Sequence, residues 1–289
     1  MIVRTRNKSP AIGRRLTLGQ YFPGQSCLHQ LDPRTKLLAS MMVMALLMWI
    51  EAWPALIFWS LVVTAVVQQT KLPPRLFARN LRAFLWLFAI TILLHALSPT
   101  WQGSNEGLVL RVWGISASSE GALRGLKYAL RLALLVVIAG ALSFTTVPTD
   151  LTDGMERLLK PLQRWRLPVH ELAFMTTLAL RFVPMIIDEA ERIQKAQMSR
   201  GADFSGSLWR RIQSLVPLLV PLFVSTFHRA DDLAVAMEAR CYRGSEGRVP
   251  FREMSLSKRD FVTAAGVLLC LAATLVAEYW LRHEAGGIF

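Results

Sequence analysis

Apolar residues concentrate in runs at Leu37 to Ile50, Ala55 to Val67, Ala83 to Leu97, Leu132 to Val147, Leu215 to Phe227 and Phe261 to Leu281. Only the last reaches the ~20 residues that cross a ~30 Å hydrocarbon core comfortably. The shorter runs need snorkelling flanks, little tilt or local thinning of the bilayer. Trp49 and Trp53, Trp101 and Trp280 stand at the edges of these runs. Tryptophan in that position sits at the headgroup level, so the runs read as membrane spans rather than as helices of a soluble core.

Charge between the runs gives them a direction. Arg4, Arg6, Lys8, Arg14, Arg15, Arg34 and Lys36 precede the first run, a segment too long and polar for a signal peptide. The positive-inside rule then predicts a cytoplasmic N-terminus. Glu51-Ala52-Trp53-Pro54 closes the first hairpin, and the next linker carries Lys71, Arg75, Arg79 and Arg82 with no acid. The third run leads outward to Ser98–Glu120, where Arg111 faces Glu106 and Glu120 and Gly103, Ser104, Asn105 and Gly107 punctuate a loop.

The fourth run opens with Arg124, Lys127 and Arg131 on one helical face, which predicts contact with the interface, with protein or with water. Beside them Gly121, Gly125, Ala129 and Ala133 form a small-residue stripe that admits a close backbone, either from helix packing within the chain or from a partner. After Val147 the texture changes: acidic and basic residues interleave with apolar ones, and Pro148, Pro161 and Pro168 divide the stretch. Thr149–Lys160 and Val169–Arg200 read as helices, the longer with Leu172, Met175, Ala179, Leu180 and Val183 on its apolar face. Asp188 with Arg192, and Glu191 with Lys195, have the favourable i, i+4 order. A further helix is predicted from Trp209 to about Arg240. If Arg200 and Arg240 both face the cytoplasm, an even number of crossings separates them, and the single apolar run between them does not cross. The prediction is an all-α membrane protein with about five transmembrane helices and long cytoplasmic helices. Its parts are a cytoplasmic segment 1–36, transmembrane helices 37–147, interface helices 148–260 and a last span 261–289.

Composition agrees: 53% hydrophobic residues coexist with 18% charged ones and a net charge of +13. Nucleic acid is a poor explanation for that charge, because Lys and Arg flank the apolar runs. Cys27, Cys241 and Cys270 form no CxxC pair and the histidines are scattered, so no disulfide framework, metal site or cofactor is expected. No phosphate loop of the GxxxxGK[ST] type is present, nor HExxH, nor GxSxG, and no catalytic residue is assigned. Asp231-Asp232 would need an aspartate at position 235 to resemble a prenyltransferase metal motif, and Val235 stands there.

Two tripeptides each end a long helix: Ser199-Arg200-Gly201 and Ala239-Arg240-Cys241. A small residue followed by arginine at a helix tip complements the helix dipole and presents a planar fork of donors. With Gly19-Gln20-Tyr21-Phe22-Pro23-Gly24, Leu28-His29-Gln30-Leu31-Asp32-Pro33-Arg34-Thr35-Lys36 and Leu180-Arg181-Phe182-Val183-Pro184, they give a chain that resembles the T component of energy-coupling factor transporters. The second motif also reads physically, since Asp32 suits an N-cap and Pro33 the first helical position.

The resemblance implies that Arg200 and Arg240 dock coupling helices on two ABC-type ATPase subunits. It implies too that a small membrane-embedded subunit binds the substrate, a vitamin or transition-metal ion, in a bacterial or archaeal cytoplasmic membrane. Cys241 in place of the usual glycine predicts that the second helix runs on toward Gly244. Two other classes stay open: a self-sufficient permease using His95 and Glu278, and a membrane-embedded enzyme using Asp150, Asp153, Asp231 and Asp232.

Overall fold

The computed structural model describes Phe22, Gly24, Ser26 and residues 28–97, 109–112, 115–165, 168–202, 208–244 and 257–286. Gly19, Gln20, Tyr21 and Pro23 of the first motif, Cys27, Trp101 and the loop at 98–108 lie outside the described residues. The described part is helical throughout, apart from a two-stranded antiparallel hairpin of β1 (Val109–Val112) and β2 (Ile115–Ser118), registered Val109 to Ser118. The all-α expectation omits that hairpin, whose four-residue strands are too short to stand out by alternation.

The chain divides into two compact units, one of Tyr21–Gly154 with Glu253–Phe289, the other built on Met155–Arg252. In the first unit, α1 (Pro33–Trp49) starts where predicted: the Asp32 carboxylate accepts from the Arg34 amide at 2.9 Å, and Pro33 occupies the first position. α1 and α2 (Trp53–Gln69) have 17 residues each, the short end of the spanning range. The third apolar run starts at a bend: α3 (Pro74–Ala83), which precedes it, and α4 (Leu85–Leu97), which forms it, meet at 52° around Phe84. α5 (Ser119–Thr145) is long and apolar enough to cross a membrane and packs on α1, α2, α3 and α4. α9 (Lys258–Gly286) also passes that test.

The core of this unit joins Leu47, Leu56, Trp59 and Val63 with Leu134 of α5 and Leu271 of α9. Around it the helix starts are tied by a buried carboxylate. Asp260 accepts from the Asp32 amide at 2.7 Å, the Thr35 hydroxyl at 3.2 Å and the Ser257 amide at 2.8 Å, which fastens α1 to the first turn of α9. At the other end of the α1–α2 hairpin, Glu278 accepts from the amides of Glu51 at 3.0 Å and Ala52 at 3.3 Å. Lys127 donates to the Glu51 carbonyl at 2.8 Å and lies over the Trp53 ring, and Arg131 donates to the Ile50 carbonyl. Lys127 and Arg131 of the basic face of α5 thus find protein backbone, which relieves the cost of burying charge, while the exposed Arg124 pairs with Glu120 at 3.9 Å.

α6 (Pro148–Leu159) follows, then a 3-10 turn (Lys160–Trp165). In the second unit α7 (Val169–Ser199) and α8 (Leu208–Ala239) are the long elements, of 31 and 32 residues. His170 Nδ1 and Glu156 Oε1, 2.6 Å apart, tie the start of α7 to the end of α6.

Candidate functional site

α7 and α8 run antiparallel. Phe174 near the start of α7 stacks on Tyr242 just past the end of α8, with ring centroids 5.3 Å apart. Further along, the Arg229 guanidinium donates to Glu189 Oε2 at 3.3 Å and to Met185 Sδ at 3.0 Å. Arg192 reaches the same Glu189 carboxylate at 3.3 Å. The expected Asp188–Arg192 pair is therefore replaced by an i, i+3 pair to Glu189, whose side chain is 15% exposed and better placed toward Arg229. Lys195 and Glu191 pair as predicted, at 3.9 Å.

From the Glu189–Arg229 contact each helix runs about eleven residues to its arginine tip, roughly 16 Å at 1.5 Å per residue. Because the helices are antiparallel, the tips leave in opposite directions and stand about 30 Å apart along the axes. Ser199, Arg200 and Gly201, and Ala239, Arg240 and Cys241, are all exposed.

Both tips close in the same way. On α7, the Gly201 amide bonds the Met198 carbonyl and the Ala202 amide bonds the Gln197 carbonyl, each at 3.0 Å. On α8, the Cys241 amide bonds Glu238 at 2.9 Å and the Tyr242 amide bonds Met237 at 3.0 Å. This is one Schellman closure repeated, with a left-handed residue at the same position. Gly201 has φ 92° and Cys241 φ 57°. The expectation that Cys241 lets α8 continue toward Gly244 is corrected: the helix ends at Ala239 and Cys241 adopts the left-handed conformation. The two carbonyl bonds and the Tyr242–Phe174 stack offset the ~1–2 kcal/mol that this conformation costs a residue with a Cβ.

The small-residue stripe of α5 is occupied from within. A Cβ at Gly125 would stand 2.8 Å from Ile92 Cα, and one at Gly121 would overlap the His95 carbonyl oxygen. The close backbone they admit is that of α4; Ala129 is buried on the same helix and Ala133 half-buried. His95 and Glu278, the polar residues of the spans, also have structural partners. His95 Nδ1 lies 2.8 Å from the Thr91 carbonyl oxygen and the ring stacks against Tyr128, while Glu278 caps the α1–α2 turn. A cavity of about 240 Å³ between α1, α2, α5 and α9 is walled by apolar side chains such as Val43, Trp59, Val63 and Ile138, with Lys36 and Thr145 at one end. Asp231 and Asp232 are exposed on α8, and no cluster of three His, Cys, Asp or Glu side chains suited to a metal occurs among the described residues.

Sequence reasoning misses the Glu189–Arg229 junction and the Tyr242–Phe174 stack. The signal for the junction is an arginine on α8 and a carboxylate on α7 equally far from the two tripeptides.

Apolar helices of spanning length, joined to a charged antiparallel pair with matched arginine tips, define an α-helical membrane protein. The profile of the CbiQ family, described as cobalt transport protein, matches residues 24–251. The chain belongs to this family and is a transmembrane T component of the energy-coupling factor type. It is 44% identical over 269 residues to the energy-coupling factor transporter transmembrane protein EcfT of Acidaminococcus fermentans, covering 92% of this chain and 97% of that one. EcfT of Heliobacterium modesticaldum is 43% identical over 263 residues, with 89% and 97% covered. EcfT of Bacillus subtilis is 41% identical over 269 residues, with 92% and 98% covered.

Proposed function

We propose that this chain is the non-catalytic coupling subunit of an energy-coupling factor importer. In this reading Arg200 and Arg240 dock into two ABC-type ATPase subunits, and a separate small membrane protein binds the vitamin or transition-metal ion. The observation that carries the reading is the repetition of one capped arginine tip at opposite ends of an antiparallel helix pair. An antiparallel pair has a local two-fold relation, so equivalent tips suit two equivalent partners. Gly201 leaves open space around its Cα, since a Cβ there would meet nothing within 4 Å, and a partner surface can approach the Arg200 fork closely.

The N-terminus lies in the cytoplasm, and α1, α2, α4, α5 and α9 make five crossings, with the 13-residue α4 entered from α3 at the surface and the bilayer thinned locally around it. α7 and α8 lie along the cytoplasmic face, so that both tips reach the same side. The self-sufficient permease is the weaker reading, because Glu278 and His95 are engaged with backbone and the cavity walls are apolar.

The test is co-purification of the two ATPases with the charge-reversed variant Arg200→Glu/Arg240→Glu. Central arginines of interfaces are worth about 2–4 kcal/mol each, so the double reversal should abolish capture and ATP-driven uptake. Retained capture would overturn the assignment of the tips; each single reversal should weaken capture of one ATPase position and leave the other.

A further inference from the structure

We propose that α3 is a binding surface for anionic phospholipid headgroups. At 100° per residue Arg75, Arg79 and Arg82 fall within an arc of about 60°, on the side of the helix opposite Phe77. Phe77 is buried, edge-on to Phe144 with ring centroids 5.4 Å apart, and packs with Ala141 of α5. The three arginines, with Lys71 just before the helix, are exposed and make no ion pair among the described residues. No acidic residue occurs between Glu51 and Glu106, so nothing in this part of the sequence neutralises them.

The rest of the geometry names the occupant. At Phe84 the chain turns by 52° into α4, whose sequence is wholly apolar but for Thr91 and His95. Immediately after the turn Leu85 and Trp86 are 55% and 64% exposed, a pair suited to the headgroup boundary. A cationic face turned outward from the protein, on a short helix that leads at an angle into a span, stands next to the bilayer surface, where clustered basic residues attract anionic headgroups. Its unpaired guanidinium forks match phosphate oxygens. The occupant is therefore the phosphate of a bilayer lipid such as phosphatidylglycerol, held where α3 meets the span. Assignment to the cytoplasmic leaflet rests on the orientation proposed above; the lipid preference does not.

The full chain is reconstituted in symmetric bilayers of phosphatidylcholine with brominated phosphatidylglycerol or brominated phosphatidylcholine. Tryptophan quenching is read as the difference between the chain and its Trp86→Phe variant, which isolates the residue beside α3. Each basic residue at a charged surface contributes about five-fold, so the preference for phosphatidylglycerol should fall up to roughly 100-fold in Arg75→Gln/Arg79→Gln/Arg82→Gln. The lysine triple variant should keep most of the preference, and the preference should weaken with salt. Millimolar glycerol 1-phosphate should leave it intact if the site takes a lipid, and abolish it if the site takes free phosphate, which would overturn the proposal. Equal quenching by both brominated lipids, or an unchanged preference in the glutamine variant, would also overturn it. So would loss of ATPase capture in the glutamine variant with its lipid preference intact, since α3 would then be a protein-docking face. Symmetric bilayers separate this result from the coupling reading, which stands or falls on capture by the two tips.

Discussion

Alanine placed at four helical glycines should sort the chain by how closely its helices approach. A Cβ at Gly266 of α9 would meet nothing within 4 Å, so Gly266→Ala adds only the helix preference of alanine, worth about 0.5–1 kcal/mol. At Gly140 the neighbour is the Asn80 side-chain amide at 2.9 Å, which can turn aside, and the two effects should nearly cancel. At Gly125 and Gly121 the neighbours are backbone atoms of α4, Ile92 Cα and the His95 carbonyl oxygen. Backbone cannot rotate away, so α4 must back off from α5. Overpacking of this kind costs about 1–3 kcal/mol, and Gly121, with the deeper overlap, should lie at the upper end. Gly121→Ala and Gly266→Ala should therefore differ by about 3 kcal/mol, or roughly 6 °C in Tm at ~2 °C per kcal/mol for a chain of this size. Thermal unfolding of the purified full chain in one detergent, followed by intrinsic fluorescence, reads the order. If Gly121→Ala unfolds with Gly266→Ala, the stripe does not hold α4, and the reasoning about the seam fails. A Gly121→Ala chain that is stable alone but loses a membrane partner would move the stripe to an intersubunit role.

Substitutions at the caps and at the α1–α2 turn give two further tests. Cys241→Gly should slow hydrogen exchange at the Tyr242 amide by about 5- to 30-fold by relieving the ~1–2 kcal/mol of the left-handed Cβ, while Gly201→Cys should speed exchange at the Ala202 amide by more, its φ lying farther from the range a side chain tolerates. Glu278→Ala should destabilise the chain by about 2–3 kcal/mol, measured by SDS titration, because two amides of the α1–α2 turn lose a charged acceptor; Glu278→Gln, which keeps an oxygen, should lose less.

The helices are legible in the sequence because their signals are local. Asp32-Pro33 starts α1, Pro148 and Pro168 bound the segments around α6 and α7, and α7 and α8 end within a residue of the predicted tips. What sequence does not supply is pairing. Arg192 has two carboxylates within helical reach, and the choice of Glu189 depends on Arg229 arriving from α8. The basic face of α5 is visible as a problem, but its solution lies in the carbonyls of Ile50 and Glu51, which no spacing rule reaches. The expectation for Cys241 fails because residue type sets a cost for the left-handed conformation, whereas the bonds to Met237 and Glu238 and the Phe174 stack decide whether the cost is met. The run Ala83–Leu97 reads as one span starting abruptly; Arg75, Arg79 and Arg82 before it belong to a separate amphipathic helix.

Orientation of the α7–α8 pair can be argued from its charges. α7 is long and apolar enough by its first half to cross a membrane, and a crossing would carry α8 with it. The tips, facing opposite ways, would then emerge on opposite sides. For both tips to emerge, the bilayer midplane would have to fall near the Glu189–Arg229 junction, midway between them and roughly 16 Å beyond the centre of the apolar half of α7, among Asp188, Glu191, Arg192, Asp231 and Asp232. A charged residue at the centre of a span costs about 2.5–3.5 kcal/mol, and one ion pair does not cancel so many. A true span has the reverse pattern, apolar at its centre and charged at its ends. Laid along the membrane face, the pair keeps the junction in water, turns Leu219, Val220, Phe223 and Phe227 of α8 toward apolar surroundings, and presents both arginines on one side. In a chain with Cys27, Cys241 and Cys270 replaced by serine, Ser199→Cys and Ala239→Cys should each label from the cytoplasmic side of inside-out vesicles; labelling from opposite sides would require the pair to cross.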